Sequence, residues 1–159
     1  MAIGSPQFDR NGNLIGFNLK KRTDGRTTEG PEEAIKEITG FLAKNEPENL
    51  LGFDFIGIAS FGPLCLDTAS SNYGTITSTP KEKWRNFDLM KVLKNTIRGR
   101  DFLLETDVNA AAFAEFKLGQ HSCKESLVYV TVGTGVGVGL VAQGKTVHGL
   151  THPEGGHIM

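Results

Sequence analysis

The stretch from Leu127 to Val141, LVYVTVGTGVGVGLV, constrains the fold more than any other part of the chain. Leu127 to Val132 is apolar and β-branched, the composition of a buried strand. Gly133, Thr134 and Gly135 come next, and then Gly137 and Gly139 alternate with Val136, Val138 and Leu140. The pattern predicts a strand that breaks in a tight glycine turn and resumes as a second strand. Glycine reaches positive φ without a Cβ clash, so such a turn can aim several backbone N–H groups at one point, and phosphate oxygens suit that nest. A plain β-hairpin whose glycines serve only packing fits the same pattern, and this stretch alone does not choose.

Two sharper motifs fail. A dinucleotide fingerprint needs G-x-G-x-x-G, and Val138 stands where its third glycine belongs. Gly139 to Thr146 matches G-x-x-x-x-G-K-T in letters. Its four intervening residues read as strand, and Val147-His148-Gly149 does not open a helix, so no helix N-terminus would face a phosphate.

With 159 residues the chain can bury a real core, and its 38% hydrophobic and 22% charged residues are those of an ordinary globular protein. A net charge of -1 gives no electrostatic case for nucleic acid or an anionic membrane. Two cysteines, Cys65 and Cys123, do not make a disulfide framework, which points to a reducing cytoplasm. No apolar run approaches a membrane span, and the N-terminus lacks the apolar core of a signal peptide.

Taken in order, the chain predicts a strand at Met1–Ser5, a turn over Gln7–Asn13 and a second strand at Leu14–Leu19. Thr23 to Gly30 reads as a polar loop. Pro31, Glu32 and Glu33 suit the first turn of a helix, and Ala34, Ile35, Ile38, Phe41 and Leu42 recur at helical spacing, predicting a helix over 31–44 that ends at Asn45–Pro47. Phe53 to Ser60 is a sheet strand stopped by the turn Phe61-Gly62-Pro63. The hydroxyl-rich run Tyr73 to Pro80 fits either a surface loop or a polyol-binding edge. A helix is expected from about Asp88 to Ile97, and a short strand at Phe102–Glu105.

Asp107 then precedes an alanine-rich helix, Val108 to Leu118, closed by Gly119. A carboxylate there is either an N-cap or a general base kept ionised by the helix dipole. The tail from His148 to His157 holds three of the four histidines. Its glycines and Pro153 exclude a helix, so these histidines are not stacked on one helical face. Glu154 and His157, separated by two glycines, can reach one point from a loop, or the histidines are incidental to a solvated tail.

The phrases GIASFGP, YGTITSTPKEKW, TDVNAAAFAE, VTVGTGVGVGL and HPEGGHI, in this order, resemble the repressor–open reading frame–kinase (ROK) family of sugar kinases, and YGTITSTPK and HPEGGH are most similar to its fructokinase branch. The resemblance implies an α/β protein of the actin-like ATPase (ribonuclease H-like) fold, mixed sheets with flanking helices, with a first lobe over 1–119 and the start of a second, incomplete lobe over 120–159. It implies that Asp107 is the catalytic base, taking a proton from the sugar hydroxyl that attacks the γ-phosphate of ATP. Gly133, Thr134 and Gly135 match a phosphate-binding turn for ATP, with Mg²⁺ between the phosphates. Gly62 and Pro63 match a turn lining the sugar pocket, and Glu154 matches a sugar ligand. His157 matches a ligand of a structural Zn²⁺ and a sugar contact. Thr106 stands where many relatives place a sugar-bonding asparagine.

The departures shape the expectation as well. Relatives open with an Asp-x-Gly-Gly-Thr phosphate loop, and Met1 to Ser5 resembles the segment just after that loop; the cysteine ligands of the family zinc site also lie downstream of His157. The expected function is ATP-dependent phosphorylation of a hexose, fructose to fructose 6-phosphate, by a chain truncated at both ends. A sugar-binding or regulatory fragment is the alternative. A repressor is the last reading, because no basic helical pair precedes residue 31. The partners implied are sugar and ATP, without nucleic acid or membrane. An exposed sheet edge and apolar surface predict association into a homodimer or through the incomplete lobe.

Overall fold

The computed structural model describes residues 2–11, 14–21, 30–45, 52–119, 125–133, 135–149 and 155–157. The polar loop expected over Thr23–Gly30 lies, except for Gly30, outside the described residues, as does Pro47. Strands β1 (Ala2–Phe8) and β2 (Leu14–Lys21) form an antiparallel pair. Helix α1 (Pro31–Asn45) is next, with Glu32 and Glu33 in its first turn; of the residues that the spacing selects, Ala34 and Phe41 are buried and Ile35, Ile38 and Leu42 are partly buried.

Strand β3 (Phe53–Ser60) matches its expected bounds and pairs in parallel with β6 (Gly99–Thr106). Parallel neighbours need a crossover, and residues 61–98 supply it. This connection carries the short antiparallel pair β4 (Thr75–Ile76) and β5 (Phe87–Asp88), a 3-10 turn at Glu82–Trp84 and helix α2 (Leu89–Thr96). Asp88 caps α2 by accepting the Lys91 N–H at 2.9 Å. Leu89, Met90 and Leu93 face inward and join Leu64, Ile76, Trp84, Ile97 and Leu104 in the larger core.

The Tyr73–Pro80 run is not a bare surface loop. Ile76 and Thr79 are buried, Leu64 and Ile76 form an isolated bridge, and the Thr77 N–H donates to the Pro63 carbonyl at 2.8 Å. The hydroxyl-rich segment therefore buttresses the Gly62–Pro63 turn, whose peptide bond is cis.

Helix α3 (Asp107–Leu118) continues from β6 without a gap. Strands β7 (Ser126–Val132), β8 (Val136–Ala142) and β9 (Lys145–Thr146) make an antiparallel sheet. Ala112 and Phe116 of α3 pack against Val141, with Leu127 and Tyr129 around them, as a second core. The lobe boundary expected at 119/120 thus falls between α3 and the sheet it packs on. Gln143 (φ 51) and Gly144 (φ 76) join β8 to β9 in left-handed conformation at both positions, as a two-residue hairpin turn requires. The letters that matched a P-loop are therefore strand, turn and strand. Gly119 ends α3, but in extended conformation with its N–H bonded to the Glu115 carbonyl at 2.8 Å, and not as a left-handed cap. A single 3-10 turn spans Gly155–His157.

Candidate active site

In the parallel pair, Ser60 stands opposite Thr106. The two strands therefore leave the sheet at the same carboxyl end, one into Phe61-Gly62-Pro63 and the other into Asp107. That end of a parallel sheet is where α/β proteins place ligands.

Thr106, and not Asp107, caps α3. It has the extended backbone of an N-cap, it is 1% exposed, and its hydroxyl accepts the Asn109 N–H at 3.2 Å. The sugar contact expected of Thr106 meets a buried hydroxyl already engaged by the helix. Asp107 is the first helical residue and is exposed, with Oδ1 accepting the Val108 N–H at 2.9 Å. Its carboxylate lies at the positive end of the helix dipole and faces solvent, which leaves it open to a hydroxyl donor.

Lys81 belongs to the same neighbourhood, although neither spacing nor composition singles it out. Its ammonium lies 3.4 Å from the centroid of the Phe61 ring. Burial pushes the Lys81 pKa down, the negative charge of Asp107 pushes it up, and the net is below the usual lysine value. Phe61 also stacks edge-on against Trp84 at 5.3 Å.

The alternating glycines divide into two sets. A Cβ on Gly139 would lie 2.1 Å from the Val108 carbonyl oxygen, and one on Gly137 would lie 2.8 Å from a Val108 methyl. These two glycines let the first turn of α3 rest directly on β8, beside the hairpin tip. At Gly133 and Gly135 a Cβ would meet no atom, and neither residue has positive φ. The Gly133 N–H donates to the Gly135 carbonyl at 2.9 Å, so it closes the turn and is not free to point at a ligand. The left-handed nest expected at Gly133 and Gly135 is thus absent from them; Thr134 lies outside the described residues.

The 3-10 turn docks on the same strand. A Cβ on Gly156 would lie 1.8 Å from the Val136 carbonyl oxygen, and one on Gly155 would lie 2.8 Å from the Val138 Cβ. His157 therefore stands in the chain just beyond a backbone seated on β8, near the hairpin tip. Glu154 lies outside the described residues.

Polar residues that the sequence did not single out hold these parts together. Asn109 is fully buried; its Nδ2 donates to the Val147 carbonyl at 3.1 Å and its Oδ1 accepts the Leu140 N–H at 3.0 Å. Glu105 Oε1 accepts the Thr106 N–H at 2.9 Å. Its Oε2 lies 2.8 Å from the Thr146 hydroxyl and 2.7 Å from His148 Nε2. Burial pushes the Glu105 carboxyl up, but the bonds from His148, the Thr106 N–H and Thr146 outweigh it and hold the pKa below the usual carboxylate value.

Among the described residues no group of three or more His, Cys, Asp or Glu could hold a metal ion. Zinc wants about four ligands, and His157 is the one candidate named for it. Cys123, His152 and Glu154 lie outside the described residues. No described helix is long and apolar enough to cross a membrane.

The model of the ROK family matches residues 10–159. The chain belongs to the ROK family. A fructokinase of Zymomonas mobilis is 46% identical over 130 residues, which cover 82% of this chain and 43% of that protein. The ROK hexokinase of Thermus thermophilus superposes with a TM-score of 0.66 at 29% identity, covering 98% of this chain and 48% of the other. A ROK glucokinase of Streptomyces griseus, solved with glucose and AMPPNP, superposes with a TM-score of 0.69 at 20% identity, over 96% of this chain and 45% of the other, and speaks to the fold alone. The fold is that of the ROK sugar kinases, actin-like, over about half of its extent. The chain spans less than half the length of the curated relatives it matches.

Proposed function

We propose that the chain serves ATP-dependent phosphorylation of a hexose, fructose to fructose 6-phosphate, with Asp107 as general base. Asp107 accepts the proton of the sugar 6-hydroxyl as its oxygen attacks the γ-phosphorus of ATP and ADP departs. Gly62 and Pro63 border the sugar, with Glu154 and His157 bonding its hydroxyls. Thr106 enters this reading as the residue that seats Asp107. The bend at Gly133, Thr134 and Gly135 meets the phosphates of ATP through groups other than the Gly133 N–H, which closes the turn. Mg²⁺, when bound, neutralises charge between those phosphates. Zn²⁺ at His157 belongs to the family resemblance, and no step here depends on it. The reading includes a cytoplasmic location, a homodimer or other self-association, and a lobe boundary at 119/120.

The observation that supports it best is the convergence at one sheet end. The Gly62–Pro63 turn and Asp107 leave paired strands side by side, and the helix opened by Asp107 rests on the strand just after the glycine bend. Fructose rather than glucose rests on the fructokinase relatives and the YGTITSTPK phrase. The second reading is a sugar-binding or regulatory unit without turnover.

Titration with fructose and with glucose, monitored by Trp84 fluorescence, tests the sugar. Trp84 is buried against Phe61, one residue from the proposed pocket turn, and should report occupancy. Saturable binding of fructose, retained in Asp107→Asn, supports the reading; preference for glucose removes the fructose assignment, and no binding of either removes the sugar site. ADP release tests the chemistry. Any fructose-dependent turnover should fall by about a hundredfold or more in Asp107→Asn, the contribution of a general base. Turnover that survives the change overturns the role of Asp107, and binding without turnover selects the second reading.

A further inference from the structure

Glu105 divides its carboxylate between two parts of the proposed site. Oε1 serves the corner where β6 becomes α3, accepting the Thr106 N–H at 2.9 Å and lying 3.4 Å from Asn109 Nδ2. Oε2 serves a segment more than forty residues later, taking the Thr146 hydroxyl at 2.8 Å and His148 Nε2 at 2.7 Å. Thr146 ends β9, and His148 opens the stretch that leads to Gly155–His157. Asn109 makes a second link across the same gap through the Val147 carbonyl. The far end of that stretch is seated separately, by Gly155 and Gly156 on β8.

Asp107 is two residues from Glu105 and makes none of these bonds. A carboxylate that only capped α3 would need one oxygen, and Thr106 already provides the cap. A second oxygen bonded to both a hydroxyl and an imidazole gives the carboxylate a reason to be there that the helix does not supply. We infer that Glu105 is a positioning residue for phosphoryl transfer: with Thr146 and His148 it fixes the distance between the Asp107 corner and the start of the segment that leads to Gly155–His157. This rests on the reading of Asp107 and Glu154 as the two sides of a sugar site. Misplacing a reacting group by about 1 Å can cost about a hundredfold, so a tether of this kind has a role that stability alone does not measure.

The experiment separates the tether from the sugar. Hydrogen exchange in the 159-residue protein, without ligand, is measured in peptides covering 147–157 and, as reference, β3 and α2. Glu105→Gln and Thr146→Val should each speed exchange in 147–157 by about tenfold while the reference peptides change little, and Thr146→Ser, which keeps the hydroxyl, should behave as wild type. Fructose titration by Trp84 fluorescence should then show weakening by about tenfold in Glu105→Gln and Thr146→Val, with recovery in Thr146→Ser. Unchanged exchange in 147–157 overturns the tether. Equal acceleration in the reference peptides overturns it too, because Glu105 would then be merely structural. Local acceleration with unaltered fructose affinity overturns the positioning role. If the wild type binds no fructose, the sugar reading fails by itself, and the exchange pattern still decides whether the tether exists.

Discussion

Replacing Gly139 by alanine should dislodge the helix that carries Asp107. The added Cβ would lie 2.1 Å from the Val108 carbonyl oxygen, 2.5 Å from the Val108 carbonyl carbon and 3.0 Å from the Ala112 Cβ. Ordinary contact begins near 3.4 Å, so the oxygen is about 1.3 Å too close. The two nearest atoms are backbone, in the first turn of α3, and cannot rotate away. Either the helix lifts by about that much or β8 bows; overpacking of this kind costs about 3 kcal/mol, the upper end of its usual range. For a chain of this size that is a fall in Tm of roughly 6–12 °C. The control is Gly133→Ala, where the Cβ meets nothing and φ is not left-handed, so its Tm should match wild type. Differential scanning calorimetry of the two variants beside wild type makes the comparison. A Gly139→Ala protein melting within about 1 °C of wild type would refute the account of β8 as a bare seat for α3.

Asn109→Ala strips the partners from the half-buried Leu140 N–H and Val147 carbonyl, and should cost about 1–3 kcal/mol in urea unfolding, well beyond an exposed asparagine. Acid should expose the Glu105 bonds: because its folded pKa is depressed, the stability it adds is complete above the ordinary value of 4.5 and lost as pH falls below that, through the folded pKa. Glu105→Gln should lack this component, so the gap between the two proteins' melting temperatures should narrow between about pH 6 and about pH 3; a constant gap opposes the assignment. Val128, Val130 and Val132 leave an exposed apolar row on β7, so the chain should self-associate by light scattering and Val130→Lys should reduce it. A monodisperse wild-type monomer would count against that row as a contact surface.

Much of the fold was legible because local chemistry and burial agree. Phe53–Ser60 is an apolar run between turns, and Ala34 and Phe41 keep helical spacing, so β3 and α1 fall where the residues place them. The hairpin over 126–142 was legible from its β-branched runs and the glycines between them, but the buried strand expected at Leu127–Val132 is fully buried on neither face: Val128, Val130 and Val132 are exposed. What the hairpin's glycines do was not legible. Gly137 and Gly139 are defined by α3 crossing them, and Gly133 and Gly135 by a bond between themselves. Thr106 and Asp107 are both able to cap a helix, and the choice depends on which of them keeps an extended backbone. In sequence Glu105 is only the last residue of a short strand, because both partners of its second oxygen lie more than forty residues away, at and just after the end of a hairpin that has to form first. Asn109 carried a fainter signal: it is a polar side chain beside three alanines, on a helix whose thin side is buried.

The two-residue turn at Gln143–Gly144 sets more than a change of direction. Side chains along a strand alternate sides, so its length decides which way Thr146 points. One extra residue between Ala142 and Lys145 would rotate Thr146 to the opposite side of the ribbon and shift His148 along with it. The phasing of a tight reversal far from Asp107 in sequence thereby governs whether Glu105 finds its partners at all.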